Sequence, residues 1–303
     1  MTLRTAARLS PAEVAQVRAL AAEVAAADGH PPLSDQALLH LPVDGPGVLH
    51  VLAGDHDALT GYAHLDVGDP VGGPAAELAV APAARRRGTG RALLDALLAQ
   101  SPDGRLSVWA HGEHPGAVAL AGALGFARSR VLWQMRRPLD APLPAVALPD
   151  GVTLRTFEVG RDEAAWTALN ALAFADHPEQ GSWGPEEVAL REQEPWFDPL
   201  GFFLAERAGP DGPRLVGFHW TKVHDAPDPG SPALGEVYVV GVDPSEQGRG
   251  LGPALTLAGL QHLADRGLPT VLLYVDEANV RAVALYRRLG FTVWSTDVSF
   301  TRG

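Results

Sequence analysis

The stretch DPSEQGRGLG, Asp243 to Gly252, places three glycines in five residues between the apolar run VYVVGV and the segment PALTLAGLQHLA. Glycine is a poor way to begin a helix, so its use here needs a reason. Lacking a Cβ, Gly248, Gly250 and Gly252 admit positive φ and let another molecule touch the backbone. Backbone N–H groups then converge beside the positive end of a helix dipole, an arrangement suited to a phosphate or pyrophosphate. Arg249 adds a charge-assisted contact. A weaker copy, APAARRRGTG, stands at Ala81 to Gly90. Neither copy ends in the Gly-Lys-Ser/Thr of a P-loop, and both fit the G-x-G-x-x-G dinucleotide pattern poorly. A tight turn whose glycines only ease packing remains open at this point.

The elements that must position these loops are legible around them. A strand ends near Val242, Pro244 forces a turn, and a helix starts around Leu251 with apolar Leu255, Leu257 and Leu260. The first half repeats the order of apolar strand, glycine loop, amphipathic helix, apolar strand, short helix and LGF. Val80 matches Val242 and Gly90 matches Gly252 with a shift of 162, and Leu124-Gly125-Phe126 matches Leu289-Gly290-Phe291 with a shift of 165. Alternating strands and helices predict an α+β chain of α/β type with a mixed sheet, here duplicated. Between the copies, RRPLDAPLPAVALPDG carries four prolines and predicts an extended linker. The expected division is a domain at 1–137, a linker at 138–150 and a domain at 151–303.

Length and composition set outer bounds. The 303 residues suffice for two domains with a core each, and 46% hydrophobic and 20% charged residues suit a globular protein. No signal-peptide pattern or membrane-length apolar run is present, which predicts a cytoplasmic protein without a membrane partner. A formal net charge of −12 disfavours nucleic acid. There is no cysteine, hence no thiolate nucleophile or thiolate metal site. His111 and His114 in HGEH do not form the HExxH pattern, and His219 and His224 fall on opposite faces of a strand, so no metal is expected.

Two further motifs carry a resemblance. Gln247 to Gly252 resembles the Q/R-x-x-G-x-G/A motif of the GCN5-related N-acetyltransferases, and Arg85 to Gly90 matches it too. NVRAVALYRRLGF, Asn279 to Phe291, resembles the later motif of that family, an Asn and a Tyr ahead of LGF. The resemblance implies two tandem acetyltransferase domains, a splayed mixed sheet and acetyl-CoA as co-substrate. Its pantetheine would lie along Val240, Gly241 and Val242, and its pyrophosphate on Gln247, Gly248, Arg249, Gly250, Leu251, Gly252 and Pro253. Asn279, Val280, Arg281, Ala282, Val283 and Ala284 would flank it. In the first copy the same roles fall to Leu78, Ala79 and Val80, then to Arg85, Arg86, Arg87, Gly88, Thr89, Gly90 and Arg91.

The chemistry such a site needs is removal of a proton from an attacking amine. Strand alternation puts Glu236, Tyr238, Val240 and Val242 on one face. Glu236, six residues before Val242, lies about 20 Å back along the strand at ~3.3 Å per residue. That is a suitable distance from pyrophosphate to thioester, which makes Glu236 the candidate general base. Tyr286, by the resemblance, would protonate the departing thiolate. The shifts map Glu236 onto Pro74 and Tyr286 onto Ala121, so the first domain is expected to bind the cofactor without catalysing transfer; Glu77 falls beside the match to Val239 instead.

Blocks from Val152 onward, among them GFHWTKVH and GEVYVVGVDP, narrow the resemblance to family members whose acceptor is a small amino-sugar–inositol molecule. Glu179, Lys222, Glu236 and Tyr274 would contact it, and Asp35 of the first domain would reach it as a fifth. Lys222 is the single lysine of the chain. The chain is expected to act as a monomer. Two other functions remain: transfer to another small amine, or acetyl-CoA sensing without catalysis. Glu236 and Tyr286 standing together in one half alone argue against a pure sensor.

Overall fold

The structure, a computed structural model, describes residues 2–42, 47–55, 58–68, 73–101, 103–175, 183–210, 212–226 and 232–303. Its residues group into two units, Met1–Leu132 with Ser295–Gly303, and Trp133–Trp294. The contiguous division expected at 137 and 151 differs from these units. The chain leaves the first unit within β6 (Ala127–Pro138) and its last strand, β12 (Thr292–Arg302), ends inside that unit.

In the first unit β1 (Leu3–Ala6), β2 (Val48–Asp55), β3 (Ala58–Asp66) and β4 (Ala75–Val80) pair antiparallel, and β4 pairs parallel with β5 (Leu106–Ala110). The C-terminal strand closes the far side of β5, antiparallel from Val298 opposite Ala110 to Arg302 opposite Leu106. Side-chain alternation along β2 and β3 feeds two cores. Leu52 and Tyr62 meet α1 (Pro11–Asp28) and α2 (Asp35–His40) on one face. Val51, Ala63 and Leu65 meet α3 (Thr89–Gln100) and α4 (Pro115–Ala123) on the other. α1 begins with a full capping box, Ser10 with Glu13, and stops at Gly29 with φ 75°.

The second unit repeats the plan. β7 (Val152–Thr156), β8 (Phe202–Arg207), β9 (Arg214–His224) and β10 (Leu234–Val242) pair antiparallel, and β10 pairs parallel with β11 (Thr270–Asp276). α5 (Glu163–Ala173) and α6 (Pro185–Glu192) cover an aromatic core of Trp166, Phe202, Phe218 and Trp220. α7 (Leu251–Asp265) and α8 (Val280–Arg288) cover the opposite face through Leu260, Leu263 and Val283. The proline-rich segment forms no helix, as its sequence predicts, but it is not free. Leu139 donates its N–H to Pro269 at 2.8 Å, and Leu139, Leu143 and Leu148 pack on the second unit.

One register detail governs the site. Between Val237 and Val239 the pairing of β10 with β9 slips by one residue, a bulge at Tyr238. The bulge corrects the single face expected from alternation. Tyr238 packs with the α5–α6 core, whereas Val240 and Val242 pack towards α7. β4 has no such slip.

The dependence of the first unit on the C-terminal strand is testable. Phe300→Ala removes a buried ring and should cost about 3 kcal/mol. Hydrogen exchange should quicken across β4 and β5 while β9 and β10 keep their protection.

Candidate active sites

The second loop is built from fixed charge and left-handed glycine. Asp243 caps the turn after β10, accepting from Ser245 N at 2.8 Å. Buried Glu246 is gripped by Arg207 at 2.8 and 2.7 Å, which holds its carboxyl below the usual range. Gly248 and Gly250 then take φ of 80° and 86°, and Gly250 stands at the N-cap of α7 without any side-chain cap. The leading N–H groups of α7 are therefore not met by a capping side chain, as an anion site requires. A Cβ at either glycine would meet nothing within 4 Å, so backbone conformation, not crowding, demands glycine there. Gly252 has an ordinary φ. Arg249 is exposed and 3.3 Å from Glu246, and Gln247 accepts from Arg281 at 2.9 Å.

The first loop differs at two points. Arg86 takes φ 60° where the second copy has Gly248, a conformation that strains an L-residue. Arg85 points inward, to Asp28 of α1 at 2.8 Å through both guanidinium ends and to Val80 O at 3.2 Å. Gly88 keeps φ 90° at an N-cap without a side-chain partner. Below this loop opens a cavity of about 620 Å³, reached by Val80, Gly88, Gly90, His111, Leu120 and Phe126. Every residue assigned to the first cofactor loop except Arg87 lines it. At one wall His111 lies 3.0 Å from Asp297 and 3.7 Å from Glu77. Burial opposes its charge, but the two carboxylates overcome that and push the imidazole up to about 10.

In the second unit Glu236 is 4% exposed and its Oε2 lies 2.6 Å from His224 Nε2. Its register partner Lys222, also buried, carries its ammonium 4.6 Å from the Trp196 ring centre and 5.4 Å from that of Tyr238. Arg191 Nε donates to the Tyr238 hydroxyl at 2.9 Å while stacking on Trp183. Thus Trp183 and Trp196 support cations, and Trp220 is core, stacked on Phe202. Tyr286 sits in the α7–α8 core beside Phe291, and burial pushes its phenol up to about 12.

The other assigned residues are placed as follows. Asn279 caps α8 by accepting from Ala282 N at 3.1 Å; Val280 is exposed and Val283 buried. The Tyr274 hydroxyl accepts from Gln134 at 2.7 Å. Asp35 is exposed in the first turn of α2, within the first unit, and Glu179 lies outside the described residues. The unit comparison also corrects one equivalence. Val237 pairs with Leu273 and Ala76 with Val108, so the extra residue at the bulge makes Ala75, not Pro74, the counterpart of Glu236. Alanine takes no proton either. Among histidines, His219 faces α7, bonded to Leu255 O at 2.7 Å, and His224 the opposite side. His40, His64 and Asp66 bring ligand atoms within 4.8 Å of one another, but Gln36 already contacts His40 and Gly68 N–H already occupies Asp66. The sequence holds no hint of Arg191 or Asp297, and it raises His224 only as a metal candidate although it stands two residues beyond Lys222 on the same strand face.

Comparison with known proteins agrees with this plan. The acetyltransferase (GNAT) family model matches residues 16–126 and 166–291, and the chain belongs to that family. It is 57% identical to the mycothiol acetyltransferase of Thermobispora bispora, over all of both chains. It is 54% identical to that of Acidothermus cellulolyticus, covering 98% of this chain and 93% of the relative. Among solved structures, a GCN5-related N-acetyltransferase from Sphaerobacter thermophilus shares 26% identity with a TM-score of 0.68, over 99% of this chain and 95% of that one. A tandem GNAT protein from the clavulanic acid biosynthesis pathway, at 20% identity and TM-score 0.71, covers 99% and 98% and shares the fold. No helix among the described residues is long and apolar enough to cross a membrane.

Two measurements probe these sites. Gly250→Val must hold a β-branched side chain at φ 86° and should raise KM for acetyl-CoA at least about tenfold. The stability that His111 contributes is full below its ordinary pKa near 6.5 and is lost as pH rises through about 10. Asp297→Asn should move that loss to lower pH in melts of the first unit's transition.

Proposed function

We propose that the chain acetylates the cysteinyl amine of 1D-myo-inositol 2-(L-cysteinylamino)-2-deoxy-α-D-glucopyranoside with acetyl-CoA, giving mycothiol and coenzyme A. Full-length likeness to mycothiol acetyltransferases supports the acceptor. The observation that carries the mechanism is a buried carboxylate, Glu236, on the strand that runs directly into an uncapped, glycine-lined helix start. The N–H groups at Gly250 and Leu251 would hold the diphosphate, and the thioester supplies the acyl carbon.

The proton account then closes on this chain's own groups. The acceptor arrives as an ammonium with a pKa of about 8, so a nearby carboxylate suffices to take its first proton. Glu236 accepts that proton. The freed lone pair forms the new C–N bond, the C–S bond breaks, and the second proton of the amide nitrogen passes through solvent to restore the phenol of Tyr286, while Glu236 returns its own proton to solvent. Tyr286 gives a proton to the leaving thiolate. Burial raises its phenol, and burial would move a thiol formed beside it in the same direction. Glu236 faces Lys222, while Tyr286 belongs to the core on the α7–α8 side of the sheet. Acceptor and leaving group are thereby served from different sides. Lys222, Tyr274 and Glu179 serve as acceptor contacts in this reading. The first unit, with Ala75 and Ala121 at the two catalytic positions, binds acetyl-CoA without transferring from it.

Coenzyme A release with the desacetyl conjugate, corrected for the acceptor thiol, tests the reading. Glu236→Gln should slow turnover roughly a hundredfold at neutral pH and approach the parent above the amine pKa. Acetyl-CoA binding should persist. An unchanged pH–rate profile removes Glu236 from the role; brisk turnover on a different amine alone moves the acceptor.

A further inference from the structure

We propose that His224 is the positioning residue of the transfer reaction, fixing Glu236 so that one carboxylate oxygen stays open to the acceptor ammonium; this rests on the reading of Glu236 as base. His224 and Lys222 project from the same face of β9, and Glu236 answers them from β10. The 2.6 Å contact joins His224 Nε2 to Glu236 Oε2. An ionised carboxylate can only accept, so the hydrogen belongs to Nε2. Among the described residues no other group donates to this carboxylate.

That single bond has two consequences. Desolvating a carboxylate is unfavourable unless a donor compensates it, and His224 is the donor. One donor on Oε2 also fixes the carboxyl plane while leaving the lone pairs of Oε1 uncommitted. A base must lie within hydrogen-bond reach of the proton it takes, so an unconstrained carboxyl would spend its time in unproductive rotamers. The imidazole side chain is 31% exposed and the carboxylate 5%, so the histidine stands between the buried base and the outside. The charged groups facing the pair are Lys222 on β9, over Trp196 and Tyr238, and Arg191 on α6, bonded to Tyr238. Neither makes a described bond to Glu236.

The test is a steady-state comparison of the full chain with its variants. His224→Ala should lower kcat about tenfold, with KM for acetyl-CoA within about twofold of the parent. His224→Gln, whose amide can place an N–H at a similar reach, should recover most of that loss. The double variant His224→Ala with Glu236→Gln should be no slower than Glu236→Gln alone, because the histidine acts only through the carboxylate. Parental kcat in His224→Ala, a glutamine variant as slow as the alanine one, or additive losses in the double variant would each overturn the proposal. Should the alanine variant not fold, the glutamine and asparagine variants decide, since only the longer amide reaches. If Glu236→Gln is itself as fast as the parent, the base assignment fails first; if it is slow while His224→Ala is not, this inference alone fails.

Discussion

A helix whose first N–H groups meet no side-chain cap is the constraint on which the rest of this molecule turns. Ordinary helices begin with Ser, Thr, Asp or Asn, and α1 does so with Ser10. α3 and α7 instead begin at Gly88 and Gly250, both left-handed, with no side chain accepting from the helix. A fold that leaves donors open at the end of a sheet strand must hold that end still by other means. In the second unit Arg207, Arg214 and Arg249 converge on Glu246, and Asp243 closes the preceding turn. In the first unit Arg85 does the fastening, by spanning to Asp28 on α1. The same open helix start is kept by two different scaffolds of charge.

Duplication makes the difference between the halves readable as chemistry. One extra residue in β10 turns Tyr238 towards the aromatic core and leaves Val240 and Val242 on the α7 side. β4 lacks the bulge, so its register runs unbroken from Ala75 to Val80. Counting pairs outward from the loop, Lys222 corresponds to Asp66 and Trp220 to His64. The face that holds a cation over aromatic rings in one half holds imidazoles and a carboxylate in the other. The first unit keeps an uncapped glycine helix start, while alanine stands at its counterparts of Glu236 and Tyr286.

What the sequence disclosed follows from which interactions are local. Glycine at Gly248 and Gly250, the turn at Pro244 and the helix after it are short-range features, and the order of elements came with them. The bulge did not, because nothing in GEVYVVGV marks which residue is extra; that is settled by cross-strand pairing with β9. The exchange of the last strand was also hidden. Val298 and Phe300 are buried in the first unit's core although more than 150 residues separate them from β5 and α4, a distance no periodicity reports. Asp297 escaped notice for the same reason, since its partner is His111. His224 was seen only as a possible metal ligand; its bond to Glu236 depends on the strand register.

Two histidine–carboxylate groups in the chain show why the same side chains need not do the same work. His111 lies between Asp297 and Glu77, and their combined charge keeps the ring protonated through neutral pH. A protonated imidazole has no lone pair, so it cannot receive a proton from an amine in the first cavity. Glu77 in turn accepts from Ser34 N at 2.6 Å while facing that cation, which holds it ionised and engaged. His224 meets a single carboxylate, and one N–H leaves the second oxygen uncommitted. Glu236 has one described donor, His224, on Oε2; Glu77 receives Ser34 N and faces His111 on its own Oε2, so the two carboxylates differ in the number and charge of their partners.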